Sequence, residues 1–336
     1  MQGEPVPIVL FCGAGVLPGL AARLAATGVV IVVAEVNDVS AAIRACTVRA
    51  AKVVLLAGND AKGAEYINAL MEKVRVPVVA LTQSSKAAMA AIAAGAVEAL
   101  PQSTPVEQIV ESLRLMSAVS VIRRQPVVER RTPPRLPTPS TPAPGHRLVV
   151  IGASTGGPAA LTQLLGALPV GFSAPVLIAQ HMPDDYDQPF ASWLGLMTKL
   201  TVKVAEDGEE ARPGTVYLAR GGRDLVIVAS RQLMNLQPVK KGAVPSADRL
   251  LESASRLVGV SLFGAILSGM GRDGAIGLLA MHKAGAVTVV QDVSTCVVSS
   301  MPEASLDARG ASLALAPITI AEQLVSWATL GAGAVP

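Results

Sequence analysis

A proline-rich segment near the middle of the chain most limits what the chain can fold into. Seven of the 19 residues at positions 126–144 are proline. Proline lacks a backbone N–H and has a fixed φ, so this segment can neither continue a helix nor lie inside a sheet. Six arginines lie in or beside it, at positions 123, 124, 130, 131, 135 and 147. We therefore predict a semi-extended basic linker over residues 123–147, either a solvated spacer or a docking segment for an acidic partner.

The linker divides the 336 residues into two predicted domains, residues 1–122 and residues 148–336. This agrees with a typical length of roughly 150 residues per domain. Apolar residues make up 51% of the composition, whereas aromatic residues make up 3% and charged residues 16%. The cores must therefore be built from Ala, Val, Leu and Ile, which favours α/β domains with buried strands and excludes general disorder.

The mean hydropathy of +0.49 raises the question of a membrane span. Residues 148–183 contain no Asp, Glu, Lys or Arg. That stretch is interrupted by Gly152, Gly156, Gly157, Pro158, Gly166, Pro169, Gly171 and Pro175. No helix of about 20 residues can form across these interruptions. The first residues also lack the positive region of a signal peptide. We expect a soluble, cytoplasmic protein with no membrane insertion.

Charge and cysteine usage narrow the classes of partner and cofactor. The formal net charge is only +3, and the aromatic side chains needed for base stacking are scarce, so nucleic acid is not expected as a partner. Cys12, Cys46 and Cys296 are scattered and lie in or beside apolar runs, which favours buried free thiols. His146, His181 and His282 form no ligand cluster with them, and no metal site is expected.

Apolar runs alternate with Ala-rich helical segments throughout the first domain. The predicted strands cover residues 8–12, 29–34, 53–57, 78–82 and 96–100, and the predicted helices cover residues 17–26, 39–49, 63–73, 85–94 and 105–117. Five consecutive βα units indicate a doubly wound parallel sheet. Their length and spacing are typical of a flavodoxin-like fold.

The second domain is a longer α/β region. Its predicted strands cover residues 148–151, 176–180, 202–205, 216–219, 225–228, 263–267 and 287–291, and its predicted helices cover residues 158–167, 247–257, 274–284, 303–309 and 320–329. Residues 217–229 contain a Gly221-Gly222 turn and are interpreted as an antiparallel hairpin attached to a mostly parallel sheet.

A serine follows the first strand of the second domain on a glycine-rich turn. Gly-Ala-Ser154-Thr155-Gly156-Gly157-Pro158 leads from a buried strand into a helix. Such a turn exposes the hydroxyl and points free N–H groups at developing negative charge, as in a nucleophile elbow. A serine that caps the helix N-terminus explains the same pattern equally well.

A histidine and an aspartate follow two other apolar strands. His181 ends the run Val-Leu-Ile-Ala-Gln-His, at the sheet edge where α/β proteins bind ligands. If its strand is a neighbour of the serine strand, His181 can act as the general base of Ser154. The alternative is a partly buried structural histidine.

Asp273 follows Leu-Ser-Gly-Met270-Gly-Arg at the start of a predicted helix. We expect its carboxylate to accept a hydrogen bond from His181 Nδ1–H, unless it simply caps that helix. The same turn leaves several backbone amides available as oxyanion donors. Together the three strand ends favour a serine hydrolase, in the order Ser–His–Asp rather than the Ser–Asp–His of α/β-hydrolases.

These motifs resemble those of the CheB family, the chemotaxis receptor protein-glutamate methylesterases, in which a linker joins a receiver domain to an α/β esterase domain. Three further segments resemble the family: residues 207–219, its middle hairpin; residues 245–248, its substrate-side helix start; and residues 291–304, its closing segment. The resemblance covers nearly all of the second domain.

The resemblance implies site residues and an activity. It implies Ser154 as nucleophile, His181 as general base and Asp273 as orienting acid, with Thr155, Gly156 and Met270 at the substrate and oxyanion site. The implied reaction is hydrolysis of glutamyl methyl esters on the cytoplasmic helices of chemoreceptors through an acyl-serine intermediate. Deamidation of receptor glutamines by the same route, and contacts with other chemosensory array proteins, are also implied. No metal or organic cofactor is required.

Four residues at three sites depart from the family pattern. Arg220 stands where proline is usual, Asp224 where histidine is frequent, and Ser299-Ser300 where an aromatic–glycine pair is commoner. We expect these changes to affect substrate preference more than chemistry.

The first domain resembles a receiver domain by its order of elements but lacks the phosphoacceptor site. That site needs clustered carboxylates for Mg²⁺, an aspartate acceptor and a lysine. The first strand ends in Cys12-Gly13, the third ends in Ala57-Gly58, and Gln102 follows the fifth, so only Thr82 is kept. We predict a pseudo-receiver that is not phosphorylated in the usual way.

One alternative to this account concerns the first domain, and two concern the whole chain. In the first domain, glycines 13, 15 and 19 followed by Glu35 imitate a dinucleotide-binding fingerprint, although the third glycine is one place late and Pro18 intrudes. For the whole chain, the alternatives are a non-catalytic chemosensory adaptor and an esterase or amidase acting on another substrate. An adaptor has no evident need for all three of Ser154, His181 and Asp273.

Overall fold

The chain folds into two compact units, Met1–Val127 and Val128–Pro336. The structure is a computed structural model, and it describes residues 4–13, 18–58, 62–74, 76–117, 146–228, 232–236 and 243–329. The predicted linker falls almost wholly outside the described residues, in the gap 118–145. Within the described part of the chain, no helix is long and apolar enough to cross a membrane.

The first unit contains one parallel sheet of five strands in the order β2-β1-β3-β4-β5. Its strands are β1 (Val6–Cys12), β2 (Val30–Val36), β3 (Val53–Ala57), β4 (Val78–Thr82) and β5 (Glu98–Pro101). Its helices are α1 (Leu20–Ala25), α2 (Val39–Val48), α3 (Gly63–Lys73), α4 (Ser85–Ala93) and α5 (Val106–Met116). This order is that of the flavodoxin-like fold, so the predicted doubly wound sheet is confirmed.

The central strands of this sheet are the elements that the sequence predicts best. Every residue of β3 and β4 is buried, and both strands have the bounds that their apolar runs predict. A strand covered by helices on both faces needs a continuous apolar run, which is easy to recognise. The first helix is less well predicted: α1 begins at Leu20, after Gly19 with φ 70°, rather than at residue 17. Residues 14–17 lie outside the described part of the chain.

The second unit is built on a parallel sheet of seven strands in the order β14-β13-β12-β6-β7-β9-β8. Its strands are β6 (Arg147–Ala153), β7 (Val176–Gln180), β8 (Thr201–Val204), β9 (Thr215–Leu218), β12 (Ser261–Ile266), β13 (Val287–Gln291) and β14 (Leu313–Leu315), and all the pairings between them are parallel. A separate sheet pairs β10 (Asp224–Ile227) with β11 (Leu233–Leu236) in antiparallel fashion.

Six helices accompany this sheet in the described residues. They are α6 (Gly157–Gly166), α7 (Asp187–Leu196), α8 (Ala247–Ser255), α9 (Ala275–Lys283), α10 (Ser300–Asp307) and α11 (Pro317–Thr329). Helix α8 packs its apolar face into a core cluster that includes Leu148, Leu177 and Leu250, all fully buried. Burial of such a leucine side chain stabilises the fold by about 1.5–3 kcal/mol.

The antiparallel hairpin exists, but the sequence-based placement of it at residues 217–229 is wrong. Strand β9 pairs with β7 on one side and β8 on the other, so it has no free edge to offer β10. The hairpin is instead formed by β10 and β11, downstream of the Gly221-Gly222 turn. For the same reason residues 207–219 are not a hairpin. Helix α7 and strands β11 and β14 were not predicted at all, because each is short or interrupted by Gly or Pro.

The sheet order places the carboxyl ends of three strands side by side. From β6 the chain proceeds to β7 on one side, and it returns to β12 on the other side. This reversal between β6 and β12 is a topological switch point, where α/β sheets form their ligand crevices. Ser154 follows β6, His181 follows β7, and Asp273 follows β12.

Candidate active site

Ser154 lies at the end of β6 on a tight turn into α6. Its amide donates to Ser268 O at 3.0 Å, which extends the pairing of β6 with β12. Its carbonyl accepts from Gly157 N at 2.7 Å, which closes the turn. The N-cap of α6 is Gly156, and no side chain caps this helix. The alternative of a capping serine is therefore wrong, and Ser154 Oγ makes no hydrogen bond with any other described residue.

Two glycines after Ser154, Gly156 and Gly157, lie where neighbouring atoms leave no room for a Cβ, and Gly156 also has a positive φ. Gly156 has φ 79°, and a Cβ there would lie 2.5 Å from Val297 Cβ and 2.6 Å from Ser268 Oγ. A Cβ at Gly157 would collide with the amide of Gln180. The turn can thus lie this close to its neighbours only with glycine at both positions.

His181 lies beside Ser154 at the same level of the sheet. Ala153 and Gln180 are register partners in β6 and β7, and His181 N donates to Ala153 O at 3.0 Å. The condition that the two strands are neighbours is therefore met. The His181 side chain is 12% exposed. Within the described residues no hydrogen bond joins it to Ser154.

The His181 ring contacts Asp273 through Nε2, not through Nδ1. The Nε2–Oδ2 distance is 2.8 Å, so the expectation that Nδ1–H faces the carboxylate is wrong. The direction of the ring depends on the packing of two loops, which strand-end spacing does not determine. With Nε2 on Asp273, Nδ1 is the nitrogen that remains for Ser154.

Asp273 is held by the N-terminus of α8, a helix distant in sequence. Its carboxylate accepts from Ala247 N at 2.7 Å, Asp248 N at 3.0 Å and Ser246 Oγ at 3.1 Å. The N-cap of the next helix, α9, is Gly274, without a side-chain cap. The alternative of an aspartate that caps its own helix is therefore wrong. The first turn of α8 fixes the carboxylate against His181.

These contacts decide the ionisation of Asp273. Burial by itself opposes the charged form. The hydrogen bond from His181, the charge of that ring and the amide hydrogen bonds from Asp248 and Ala247 outweigh burial and lower the pKa of Asp273. The positive end of the α8 dipole acts in the same direction. Asp273 is thus a carboxylate at neutral pH, as an orienting acid must be.

Gln180 is a site residue that the sequence analysis missed. It is buried at the end of β7, and its Nε2 donates to Ser154 O at 3.0 Å and to His181 O at 3.1 Å. One amide group thereby ties the serine turn to the histidine turn. The signal was a polar residue in the last position of an otherwise apolar strand.

Ser268 is a second residue that was missed. It is fully buried, and its Oγ donates to Thr155 O at 2.7 Å and accepts from Val298 N at 3.0 Å. It thereby connects the serine turn to the segment that precedes α10. Its sequence context, a serine before Gly269, gave no sign of this long-range contact.

The predicted substrate and oxyanion residues surround Ser154. Thr155 and Gly156 belong to the serine turn. The turn at residues 269–271 lies against Ser154, because a Cβ at Gly269 would be 2.8 Å from Ser154 Cβ. Met270 is 38% exposed, and among the described residues its amide finds no hydrogen-bond acceptor. The geometry therefore brings together every residue that the sequence singled out for this site.

The second unit has the sequence and fold of a known family. The CheB methylesterase profile matches residues 149–324. The chain belongs to the CheB methylesterase family. Protein-glutamate methylesterase/protein-glutamine glutaminase 3 of Myxococcus xanthus is 39% identical over 266 residues, 76% of this chain and 74% of that protein. Protein-glutamate methylesterase FrzG of Myxococcus xanthus is 36% identical over 262 residues, 75% of this chain and 77% of that protein.

A solved CheB structure matches the second unit. The CheB methylesterase catalytic domain of Thermotoga maritima superposes with a TM-score of 0.52 at 35% identity, covering 55% of this chain and 99% of that chain. The family resemblance inferred from the motifs is confirmed, as are the hydrolase class and the α/β fold of the catalytic unit.

The carboxyl edge of the first sheet differs chemically from the site in the second unit. Cys12 ends β1, and its Sγ donates to Glu35 Oε1 at 3.4 Å. Ala57 ends β3 and is followed by Gly58, and Gln102 follows β5. The described residues of the whole chain contain no group of three His, Cys, Asp or Glu side chains that could hold a metal ion. Of the glycines in the dinucleotide alternative, Gly15 lies outside the described residues, whereas Gly13 and Gly19 lie within them.

None of the three cysteines is poised as a nucleophile. All three are free thiols. Burial raises the pKa of Cys46 to about 11, and burial with Glu35 as neighbour raises that of Cys12 to about 11. Burial and the charges of Asp292 and Glu303 raise the pKa of Cys296 to about 12. Thiols with such raised pKa values remain protonated at neutral pH, so little of the nucleophilic thiolate is present.

Proposed function

We propose that this chain hydrolyses glutamyl methyl esters on the cytoplasmic helices of chemoreceptors, with Ser154, His181 and Asp273 as its catalytic residues. The observation that carries the proposal is their convergence at the switch point of a CheB-type sheet, with the His181–Asp273 contact at 2.8 Å. Since the methylated receptor helices are cytoplasmic, we place the reaction in the cytoplasm.

The first half of the reaction forms an acyl-enzyme. His181 Nδ1 accepts the proton of Ser154 Oγ as the oxygen attacks the ester carbonyl. The negative oxygen of the tetrahedral intermediate is stabilised by backbone N–H groups, for which Met270 and Gly156 are the candidates. As the intermediate collapses, His181 returns the proton to the leaving methoxide, and methanol departs.

The second half restores the enzyme. A water molecule gives a proton to His181 Nδ1 and attacks the acyl carbon. Collapse releases the glutamate carboxyl group and returns the proton to Ser154. Asp273 holds the Nε2–H tautomer throughout and stabilises the imidazolium that forms in both halves. No metal or organic cofactor takes part in this scheme.

Deamidation of receptor glutamine follows the same route, with ammonia in place of methanol.

The receptor segment binds across the carboxyl edge of the sheet, where Thr155 and Met270 border Ser154. Two arginines, Arg220 and Arg223, follow β9 at this edge. They lie beside Asp207, and we propose that they also face the glutamate side chains of the receptor segment. Other chemosensory array proteins are further candidate partners.

We also propose the domain roles predicted from the sequence: a pseudo-receiver over residues 1–122, a linker over residues 123–147 and a catalytic domain over residues 148–336. Cys12, Ala57 and Gln102 stand where phosphoryl transfer needs acids and a lysine. Acetyl phosphate with Mg²⁺ is expected to leave the esterase rate unchanged. Stable incorporation of phosphate into the first unit would contradict this.

One comparison of substrates separates the proposed function from its alternatives. The full chain is incubated with a receptor fragment carrying glutamyl methyl esters and, separately, with a small methyl ester. Rapid methanol release from the receptor fragment, without hydrolysis of the small ester, supports the proposal. Hydrolysis of only the small ester favours an esterase with another substrate, and hydrolysis of neither favours the adaptor.

A further inference from the structure

A serine at the start of α10 braces the turn that carries Met270. Ser300 Oγ donates to Gly269 O at 3.1 Å and accepts from Gly271 N at 3.0 Å. These are the two residues on either side of Met270. One hydroxyl group therefore holds both ends of a three-residue turn.

The braced turn borders the proposed nucleophile. Gly269 approaches Ser154 closely, with a hypothetical Cβ 2.8 Å from Ser154 Cβ. On its other side, Gly269 is fixed by Val298 O, which accepts its amide at 2.9 Å, and by Met301 N, which donates to its carbonyl at 3.1 Å. Gly269 is thus held by the backbone as well as by Ser300.

The far end of the turn has less support. Gly271 has φ 98° and is exposed, and Met270 is 38% exposed. In the described part of the chain, the hydrogen bond from Gly271 N to Ser300 is the one that fixes this end. The Met270 N–H lies in the same rigid peptide plane as Gly269 O, and the Gly271 N–H lies in the next plane. Ser300 Oγ therefore contacts both peptide groups that flank the Met270 Cα, and its bond to Gly269 O acts directly on the direction of the Met270 N–H.

We propose that Ser300 is a positioning residue that directs the Met270 N–H toward the oxyanion formed at Ser154. The inference rests on the proposed function, since it assumes an acyl transfer at Ser154. An oxyanion donor acts only if it is already aimed at the developing charge. The hydroxyl of Ser300 supplies that alignment without touching the substrate itself.

The neighbouring serine provides a matched control. Ser299, the residue before α10, donates its hydroxyl to Glu303 Oε1 at 3.0 Å and makes no hydrogen bond with the Met270 turn in the described residues. Ser300→Ala and Ser299→Ala each remove one hydroxyl from adjacent positions. Ser300→Thr keeps the hydroxyl and tests rescue.

The test is the kcat and KM of methanol release from methylated receptor. Removal of an oxyanion donor costs about 10²–10³ in kcat, and loss of its alignment is expected to cost about tenfold. Ser300→Ala should therefore lower kcat about tenfold with KM unchanged, whereas Ser299→Ala and Ser300→Thr should stay within about twofold of wild type. An unchanged kcat in Ser300→Ala, an equal loss in both alanine variants, or a change confined to KM would overturn the proposal.

Amide hydrogen exchange makes the test independent of the substrate. The Gly271 amide should be protected in the wild type and in Ser299→Ala and should exchange at least about tenfold faster in Ser300→Ala. If the wild type releases no methanol, the proposed function fails, while the exchange result still decides whether the brace exists. Equal exchange in all three proteins would overturn the positioning role.

Discussion

His181 Nε2 lies 2.8 Å from Asp273 Oδ2, and this contact determines which ring nitrogen can serve Ser154. A carboxylate that accepts a hydrogen bond from Nε2–H leaves the Nδ1 lone pair as the base. Since the first turn of α8 fixes the carboxylate through Ala247 N and Asp248 N, the ring direction depends on that helix as well. The three proposed catalytic residues follow three strands, and their arrangement depends in addition on the N-terminus of α8.

Asp273→Asn is expected to lower kcat for methanol release by about 10³–10⁴, because the neutral amide no longer selects the reactive tautomer or stabilises the imidazolium. The KM should change little. Asp307→Asn, which alters an exposed carboxylate on α10, is the control and should keep wild-type kcat. A loss of less than tenfold in Asp273→Asn would show that His181 does not depend on this carboxylate.

Asp273 should also make the stability of the catalytic unit depend on pH. Its pKa is lowered in the folded state, so its contribution is complete above the ordinary aspartate pKa of about 4 and is lost as pH falls through the lower folded value. Urea unfolding of wild type and Asp273→Asn at pH 7, 5 and 3 measures this. The difference in unfolding free energy should be equal at pH 7 and 5 and smaller at pH 3. A difference that grows on acidification has the wrong sign.

Gly156→Ala is expected to damage both stability and activity. At a φ of 79°, a residue with a Cβ lowers the free energy of unfolding by about 1–2 kcal/mol. The collision of that Cβ with Val297 and Ser268 lowers it by about 1–3 kcal/mol more. Gly171→Ala is the matched control, because Gly171 has φ 74° with no atom within 4 Å of the added Cβ. We expect Gly171→Ala to lose only the conformational part and to keep wild-type kcat. Equal unfolding free energies for the two variants would show that the close approach at Gly156 is unimportant.

Arg249→Met should destabilise the catalytic unit by about 3–5 kcal/mol, because it removes the cationic partner of a buried carboxylate and leaves the hydrogen bond from Ser246 N in its place. Arg249 Nη1 lies 2.7 Å from Asp224 Oδ2, and the Asp224 side chain is only 2% exposed. Lys203→Met breaks a more exposed pair with Glu209 in the same unit and should cost less than about 1 kcal/mol. Denaturant unfolding compares the two variants. A loss below about 1 kcal/mol for Arg249→Met would show that the contact with Asp224 does not stabilise the unit.

The sequence predicts well those features that depend on continuous runs of residues. Strands β3, β4, β7 and β13 have the predicted bounds because each is a buried apolar run that ends abruptly. The site residues Ser154, His181 and Asp273 were found because each follows such a run.

Features that depend on distant partners were not predictable in this way. The carboxylate of Asp273 is held by α8, about 25 residues away in the chain, and no local pattern indicates this contact. The choice of Nε2 over Nδ1, the pairing of β10 with β11 and the bridge made by Gln180 share this cause. Each requires the spatial order of the strands, which is a property of the whole sheet.

Methanol release from methylated receptor by Ser154→Ala, compared with the wild type, tests the central claim most directly. The variant removes one oxygen atom that has no hydrogen-bond partner among the described residues, so it should fold and bind receptor like the wild type. We predict that wild type releases methanol and that Ser154→Ala releases none above the uncatalysed rate. Equal release by both proteins would contradict the assignment of Ser154 as the nucleophile.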